Sequence, residues 1–127
     1  FGEIYEKGST ENLLPKGMKK VWDLRIKEDY DMGKTNERTI NKRSGFNFNY
    51  TFLDKVCTTL TPRNSNVIFD EPRVQSKLEL LKCGSWSLDY DFLNQKVSYV
   101  LGMSVPPLAM YRISKEIQTQ WLDRLNK

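Results

Sequence analysis

At 127 residues, with 39% hydrophobic and 28% charged side chains, the chain is one domain or a large part of one, globular rather than disordered in composition. A net charge of +4 and a pI near 9.1 permit an anionic partner such as nucleic acid without demanding one. The absence of histidine excludes the commonest general base, the commonest zinc ligand and every Ser/His or Cys/His dyad. Two cysteines, Cys57 and Cys83, are too few for a disulfide framework and lack metal-binding spacing, so a reducing compartment and buried structural thiols are expected. No apolar run is long enough for a membrane span and no signal peptide is visible, so no membrane partner is expected. The chain begins with Phe1 rather than Met, which reads as a processed product or an excised fragment.

Residues 1–20 are polar and aperiodic and read as extended chain and loop, with a short strand at Glu3–Tyr5. Lys20–Lys27 alternates Trp22, Leu24 and Ile26 with Val21, Asp23 and Arg25, the period-two pattern of a half-buried strand. Residues 28–45 are charged and turn-rich. Within them Lys34, Arg38, Lys42 and Arg43 face a single Glu37, which fits a solvated loop, a short surface helix or a set of phosphate contacts. Phe46–Leu53 alternates aromatics with small polar residues, as a strand with its aromatic face in the core or as a base-stacking platform. Lys55–Thr61 is β-branched and predicts another strand. Pro62–Asn66 predicts a turn and Val67–Phe69 a third strand. Residues 1–70 thus form a small, irregular β-region with exposed polar loops.

The rest is helical in character. Ser76–Lys82 carries leucines at helical spacing, with Ser76 as N-cap and Glu79 three residues on. Trp86–Phe92 is an aromatic loop anchored in the core. Asn94–Leu101 predicts a short helix with Gly102 as its C-cap. Tyr99–Pro107 reads as a tight glycine turn and a hydroxyl-bearing loop, leading into a proline-opened helix over Leu108–Lys127. In that helix Ile113, Ile117, Trp121 and Leu125 repeat every four residues, a seam predicted to face the core.

These pieces in sequence resemble the C-terminal part of the cytosine-C5 DNA methyltransferases. Cys57-Thr58-Thr59-Leu60-Thr61 looks like the Thr-Leu element of the target-recognition domain. Arg73, Ser76, Glu79, Lys82, Trp86, Asp89, Tyr90 and Phe92 fall in register with the penultimate motif, and Tyr99–Ile117 is similar to the final Gly-Asn-Ser-Val-Pro-Pro motif and its helix. Met103 stands where the family has Asn, Gln75 where it has Leu, and Ser87 where Pro is common.

The resemblance implies an α+β fragment: a recognition region over residues 1–70, then residues 71–127 completing an α/β methyltransferase domain. It implies double-stranded DNA as partner, contacted by Lys34, Arg38, Lys42, Arg43, Thr59, Leu60, Arg63 and Asn64. It implies S-adenosylmethionine as cofactor, bordered here by Met103, Ser104 and Val105, in a pocket only partly present. The second implied partner is the N-terminal catalytic part, and the setting is cytoplasmic, prokaryotic or phage-like. The family's Pro-Cys nucleophile, Glu-Asn-Val motif and Gly-rich cofactor loop do not occur here, so this chain supplies no catalytic residue and is expected to be inactive alone. The alternative is a non-catalytic DNA-binding or subunit-interaction module derived from the same fold.

Overall fold

A computed structural model describes residues 1–45, 47–63 and 65–125. The architecture is α+β. In chain order the elements are α1 (Lys16–Trp22), α2 (Met32–Ile40), β1 (Asn49–Thr51), β2 (Asn66–Ile68), α3 (Lys77–Cys83), α4 (Val97–Met103) and α5 (Pro107–Ile117). Helices α1 and α2 pack on a small two-stranded sheet, and α3 and α4 pack on each other. A single 3-10 turn, Gly2–Ile4, stands where a strand over Glu3–Tyr5 is predicted.

Several elements differ from the sequence expectation. Lys20–Lys27 is not a strand; α1 covers its first residues. Met18, Val21 and Trp22 share one helical face on the core, whereas Leu24 and Ile26, which completed the alternating pattern, remain exposed. Trp22 donates its indole N–H to the Ile68 carbonyl at 2.9 Å, and Arg25 lies 3.2 Å above the indole ring while donating to the Phe69 carbonyl. Residues 28–45 contain a true helix, α2. Asp31 caps it by accepting from the Lys34 amide at 2.6 Å, and Asn41 ends it in the left-handed region at φ 54°.

β1 lies within the predicted aromatic strand, β2 overlaps the strand predicted over Val67–Phe69, and the two pair in parallel with Tyr50 opposite Val67. A parallel pair needs a crossover. Residues 52–65 are that crossover, which is why the β-branched run Lys55–Thr61 forms no strand. Its carbonyls at Thr58 and Thr59 accept from the Asn66 side chain instead. On the far side of β2, residues 73–75 run antiparallel to it, bonding Ile68 N–H to the Arg73 carbonyl and Gln75 N–H to the Asn66 carbonyl.

Two apolar clusters follow. Trp22, Met32, Tyr50 and Val67 form one, with Phe48, Phe52 and Phe69 around it. Leu80, Leu81, Phe92 and Leu101 form the other, with Leu60 and Trp86 packed alongside. Elements of both clusters meet in a polar layer. Arg73, 1% exposed, forms a two-pronged ion pair with fully buried Glu79 at 2.8 Å through each prong, and holds Glu71 at 2.6 Å. Glu79 closes a capping box with Ser76 at the start of α3 and also accepts from the Glu6 amide. Arg73 donates to the Glu6 carbonyl, and Ser76 donates to the Glu6 carboxylate. The N-terminal strap, residues 1–15, is thereby tied through Glu6 to Arg73 and to the start of α3.

The aromatic loop is only partly interior: Phe92 is buried, Trp86 half-buried and Tyr90 exposed, the three rings meeting edge to face or tilted. Left-handed backbone at Leu93 and Asn94 delays α4 to Val97. Gly102 lies inside α4 with no positive φ, so it is neither a tight turn nor a C-cap. The terminal helix continues from α5 through a π-helical turn, Gln118–Leu122, into α6 (Asp123–Leu125). The predicted core seam is not in a core. Ile113, Ile117, Trp121 and Leu125 are all exposed, Trp121 by 68%, because among the described residues no other element packs on that face.

Burial pushes the Glu79 carboxyl up, but the Arg73 guanidinium and the Glu6 and Ser76 amides outweigh it and hold the group below the usual carboxylate range. A carboxylate with a depressed folded value contributes stability above its unfolded pKa of about 4.3 and loses it as pH falls through the folded value. Asp29 and Glu71 shift the same way. Urea midpoints measured across the acid range should therefore be flat down to about pH 4.3 and fall steeply below it. Glu79→Gln leaves Arg73 without its buried counter-charge and should cost about 3–5 kcal/mol in the same assay, against under about 0.5 kcal/mol for exposed Lys82→Ala.

Candidate nucleic-acid interface

The cations of the α2 region divide by their partners. Arg38 donates to buried Asp29 at 2.9 Å and to the Leu24 carbonyl at 2.6 Å. Asp29 also accepts from the Thr35 hydroxyl, which in turn meets the Tyr50 hydroxyl, so Arg38 closes a buried polar chain. Burial raises the Asp29 carboxyl, and the Arg38 and Thr35 bonds lower it further than that. Arg43 bonds the Tyr30 hydroxyl at 2.9 Å and reaches Asp31 at 3.4 Å, while Lys34 pairs with Glu37 at 3.0 Å. Lys42 is exposed and has no ion-pair partner among the described residues. Arg38 and Arg43 are thus tied to buried carboxylates and Lys34 to an exposed neighbour on its own helix, while Lys42 has no ionic partner among the described residues.

Thr59 is exposed on the crossover, whereas Leu60 turns inward onto the Leu80–Leu101 cluster and acts as packing. Arg63 is exposed and likewise lacks an ion-pair partner among the described residues; Asn64 lies outside them, as do Phe46, Asn126 and Lys127. Arg63 borders a groove of about 830 Å³ that runs between the crossover and the start of α4. Asn47, Phe48, Asn49, Ser65, Lys96 and Ser98 line it, and the Ser98 hydroxyl bonds the Pro62 carbonyl at 3.2 Å. The wall therefore combines two cations, two carboxamides, hydroxyls and one aromatic edge, the donor set that phosphates and base edges accept.

Lys96 and Ser98 were not foreseen, because nothing in their local sequence places α4 beside Pro62. Asn47 and Asn49 carried a signal. They alternate with the aromatics of the β1 strand, so an inward aromatic face implies an outward amide face.

A second groove, of about 440 Å³, brings Thr58, Thr59 and Leu60 to the same wall as Gly102, Ser104 and Pro106. The contact behind it is unusually close. A methyl group on Gly102 would lie 2.3 Å from the Pro62 nitrogen and 2.4 Å from the Thr61 carbonyl carbon, so α4 seats backbone to backbone on the crossover. Ser104 ends α4 and donates its hydroxyl to the Leu101 carbonyl at 3.0 Å, leaving the oxygen lone pairs free. Met103 and Val105 are exposed on either side of it. These three residues fit one rim of a cofactor pocket: an apolar edge and a hydroxyl acceptor. Among the described residues no carboxylate lines the groove; its side-chain hydroxyls are those of Thr58, Thr59 and Ser104, and these residues alone do not enclose such a cofactor.

No group of three or more His, Cys, Asp or Glu side chains that could hold a metal occurs among the described residues, and no helix there is long and apolar enough to cross a membrane. Comparison with family models, with curated proteins and with solved structures gives no match to the chain.

Gly102→Ala tests the seat between α4 and the crossover. Alanine improves helix propensity by about 1 kcal/mol, but its methyl collides with backbone and a proline ring. Thermal unfolding should show a net loss of about 1–3 kcal/mol, opposite in sign to what propensity alone gives.

Proposed function

We propose that the chain is the C-terminal part or subunit of a DNA cytosine-C5 methyltransferase, working with an N-terminal catalytic part in a cytoplasmic, prokaryotic or phage-like setting. The observation that carries this reading is the Arg73–Ser76–Glu79 unit. Three of the eight residues in register with the penultimate motif are one physical device: the box sets the start of α3 and the guanidinium neutralises its buried carboxylate.

Two further features agree with it. The segments resembling the Thr-Leu element and the final motif, remote in sequence, share one groove through the Gly102 seat. The terminal helix presents Ile113, Ile117 and Trp121 to solvent, a face suited to burial against a catalytic part carried elsewhere.

In this reading S-adenosylmethionine supplies the methyl group. Ser104, flanked by Met103 and Val105, borders its pocket, while the nucleophile and the cytosine-holding carboxylate belong to the catalytic part. The chain's own work is to present Lys42, Thr59, Arg63 and the groove beside Arg63 to duplex DNA, and to complete the cofactor rim. Alone it transfers no methyl group.

The test is complementation. Mixed with the catalytic part bearing the Pro-Cys and Glu-Asn-Val motifs, the chain should restore transfer of labelled methyl groups to duplex DNA. Two folded pieces that together leave the DNA unlabelled would overturn the proposal. Ile117→Glu should change stability by less than about 0.5 kcal/mol, since the side chain is exposed, yet abolish the restored activity.

Arg63 and Lys96, neither with an ion-pair partner among the described residues, favour a second reading, a DNA-binding module that acts without a catalytic part. On either reading, fluorescence anisotropy should show salt-sensitive binding to duplex DNA. Arg63→Ala and Lys96→Ala should each make the log–log salt slope shallower by about one. Binding by the isolated chain that tracks these cations, without complementation, would select the module.

A further inference from the structure

Outside the groove assigned to DNA, the densest unassigned chemistry is a pair of thiols. Cys57 lies on the crossover and Cys83 is the last residue of α3, and neither is fully buried as structural thiols would be. The Gln75 side-chain amide nitrogen lies 3.0 Å from Cys57 Sγ and 3.5 Å from Cys83 Sγ, so one donor reaches both sulfurs. Both line the wall of the groove that holds Thr59 and Ser104, so a small reagent can approach them from solvent. The surrounding crossover is irregular chain, and neighbouring Val56 is 90% exposed, which leaves slack for the sulfurs to close.

We propose that Cys57 and Cys83 form a dithiol modification site that a hydroperoxide converts to an intramolecular disulfide. The inference stands on the two sulfurs alone and does not depend on the reading of the chain as a methyltransferase part. The order of events follows from the surroundings. The Cys83 hydrogen bond lowers the Cys57 thiol, burial raises it, and the Gln75 amide lowers it again, leaving it at about 7. Cys83 moves up, because its proton is held by Cys57 and burial disfavours its charge.

The Gln75 amide also lies closer to Cys57, at 3.0 Å against 3.5 Å for Cys83. Negative charge is therefore better held there, and Cys57 is the thiolate that attacks. Its sulfur bonds the distal peroxide oxygen, the O–O bond breaks, and the leaving oxygen takes a proton as water or alcohol. Cys83 sulfur then attacks the Cys57 sulfenic acid. The S–S bond forms, the S–O bond breaks, and the hydroxide leaves as water with the Cys83 proton. Two thiols lose two electrons in total, and one hydroperoxide gains them. The product bond ties the stretch of crossover carrying Thr59 to the end of α3.

The experiment treats the reduced protein with stoichiometric hydrogen peroxide, then adds N-ethylmaleimide and reads intact mass without reductant. The expected product is monomeric, lighter by two hydrogens, free of maleimide, and restored by dithiothreitol to a form that takes two. Cys83→Ser should halt at a Cys57 sulfenic acid trapped by dimedone. Two maleimides after peroxide, intermolecular dimers, or sulfinic acid in place of the disulfide would each overturn the proposal. The wild-type mass decides even where the serine variant fails to fold.

Discussion

A buried guanidinium facing a buried carboxylate is the constraint on which most of the chain depends. Arg73 and Glu79 are each essentially inaccessible to water, and an isolated charge at either place would be prohibitive. Every remaining polar atom around them must therefore be satisfied from elsewhere, and the chain meets that demand with segments distant in sequence. Glu71 takes one guanidinium nitrogen, the Glu6 carbonyl takes another, and the Glu6 and Ser76 amides donate to the carboxylate. The Tyr5 ring lies 5.4 Å from the guanidinium, and burial followed by the Glu71 bond lifts its hydroxyl to about 12. The N-terminal strap, the strand-like segment around Val74 and the first turn of α3 are thus fixed together by electrostatics rather than by a continuous apolar core.

That arrangement suits a chain with short strands and modest apolar clusters. A two-stranded sheet three residues long is not stable by itself. Here it is flanked by the antiparallel segment at Val74 on one side and capped by Trp22 and Arg25 on another. A second polar chain, from Arg38 through Asp29 and Thr35 to Tyr50, secures α2 to β1 in the same way. The cost falls on the surface: cations that could have met phosphates are engaged in holding helices, which moves the candidate DNA contacts toward Arg63, Lys96 and Lys42.

The helices with local signals were legible. Ser76 and Glu79 at capping-box spacing placed α3 within a residue or two, and Pro106-Pro107 placed the start of α5. Lys20–Lys27 satisfies two periods at once, and the contacts that favour the helix, Trp22 on the Ile68 carbonyl and on Tyr50 and Val67, are remote in sequence. Gly102 was legible as a special position but not for its reason, since the atoms that require a missing Cβ belong to Thr61 and Pro62. The terminal stripe shows the opposite limit. A four-residue period specifies a face and says nothing of whether its partner lies in the same chain.

The π-helical turn gives that stripe its shape. In an α-helix each residue advances about 100°, so side chains four apart drift about 40° around the axis with every repeat. Continued from Ile113 to Leu125, the row would wind away like a screw thread. Between Gln118 and Leu122 the backbone widens to the i→i+5 pattern, each residue rotates less, and the row is turned back. Thr119 sits at the adjustment with its hydroxyl on the Lys115 and Glu116 carbonyls. The terminal helix therefore carries a ridge closer to a straight edge than a spiral, and a flat wall can meet its whole length without bending to follow.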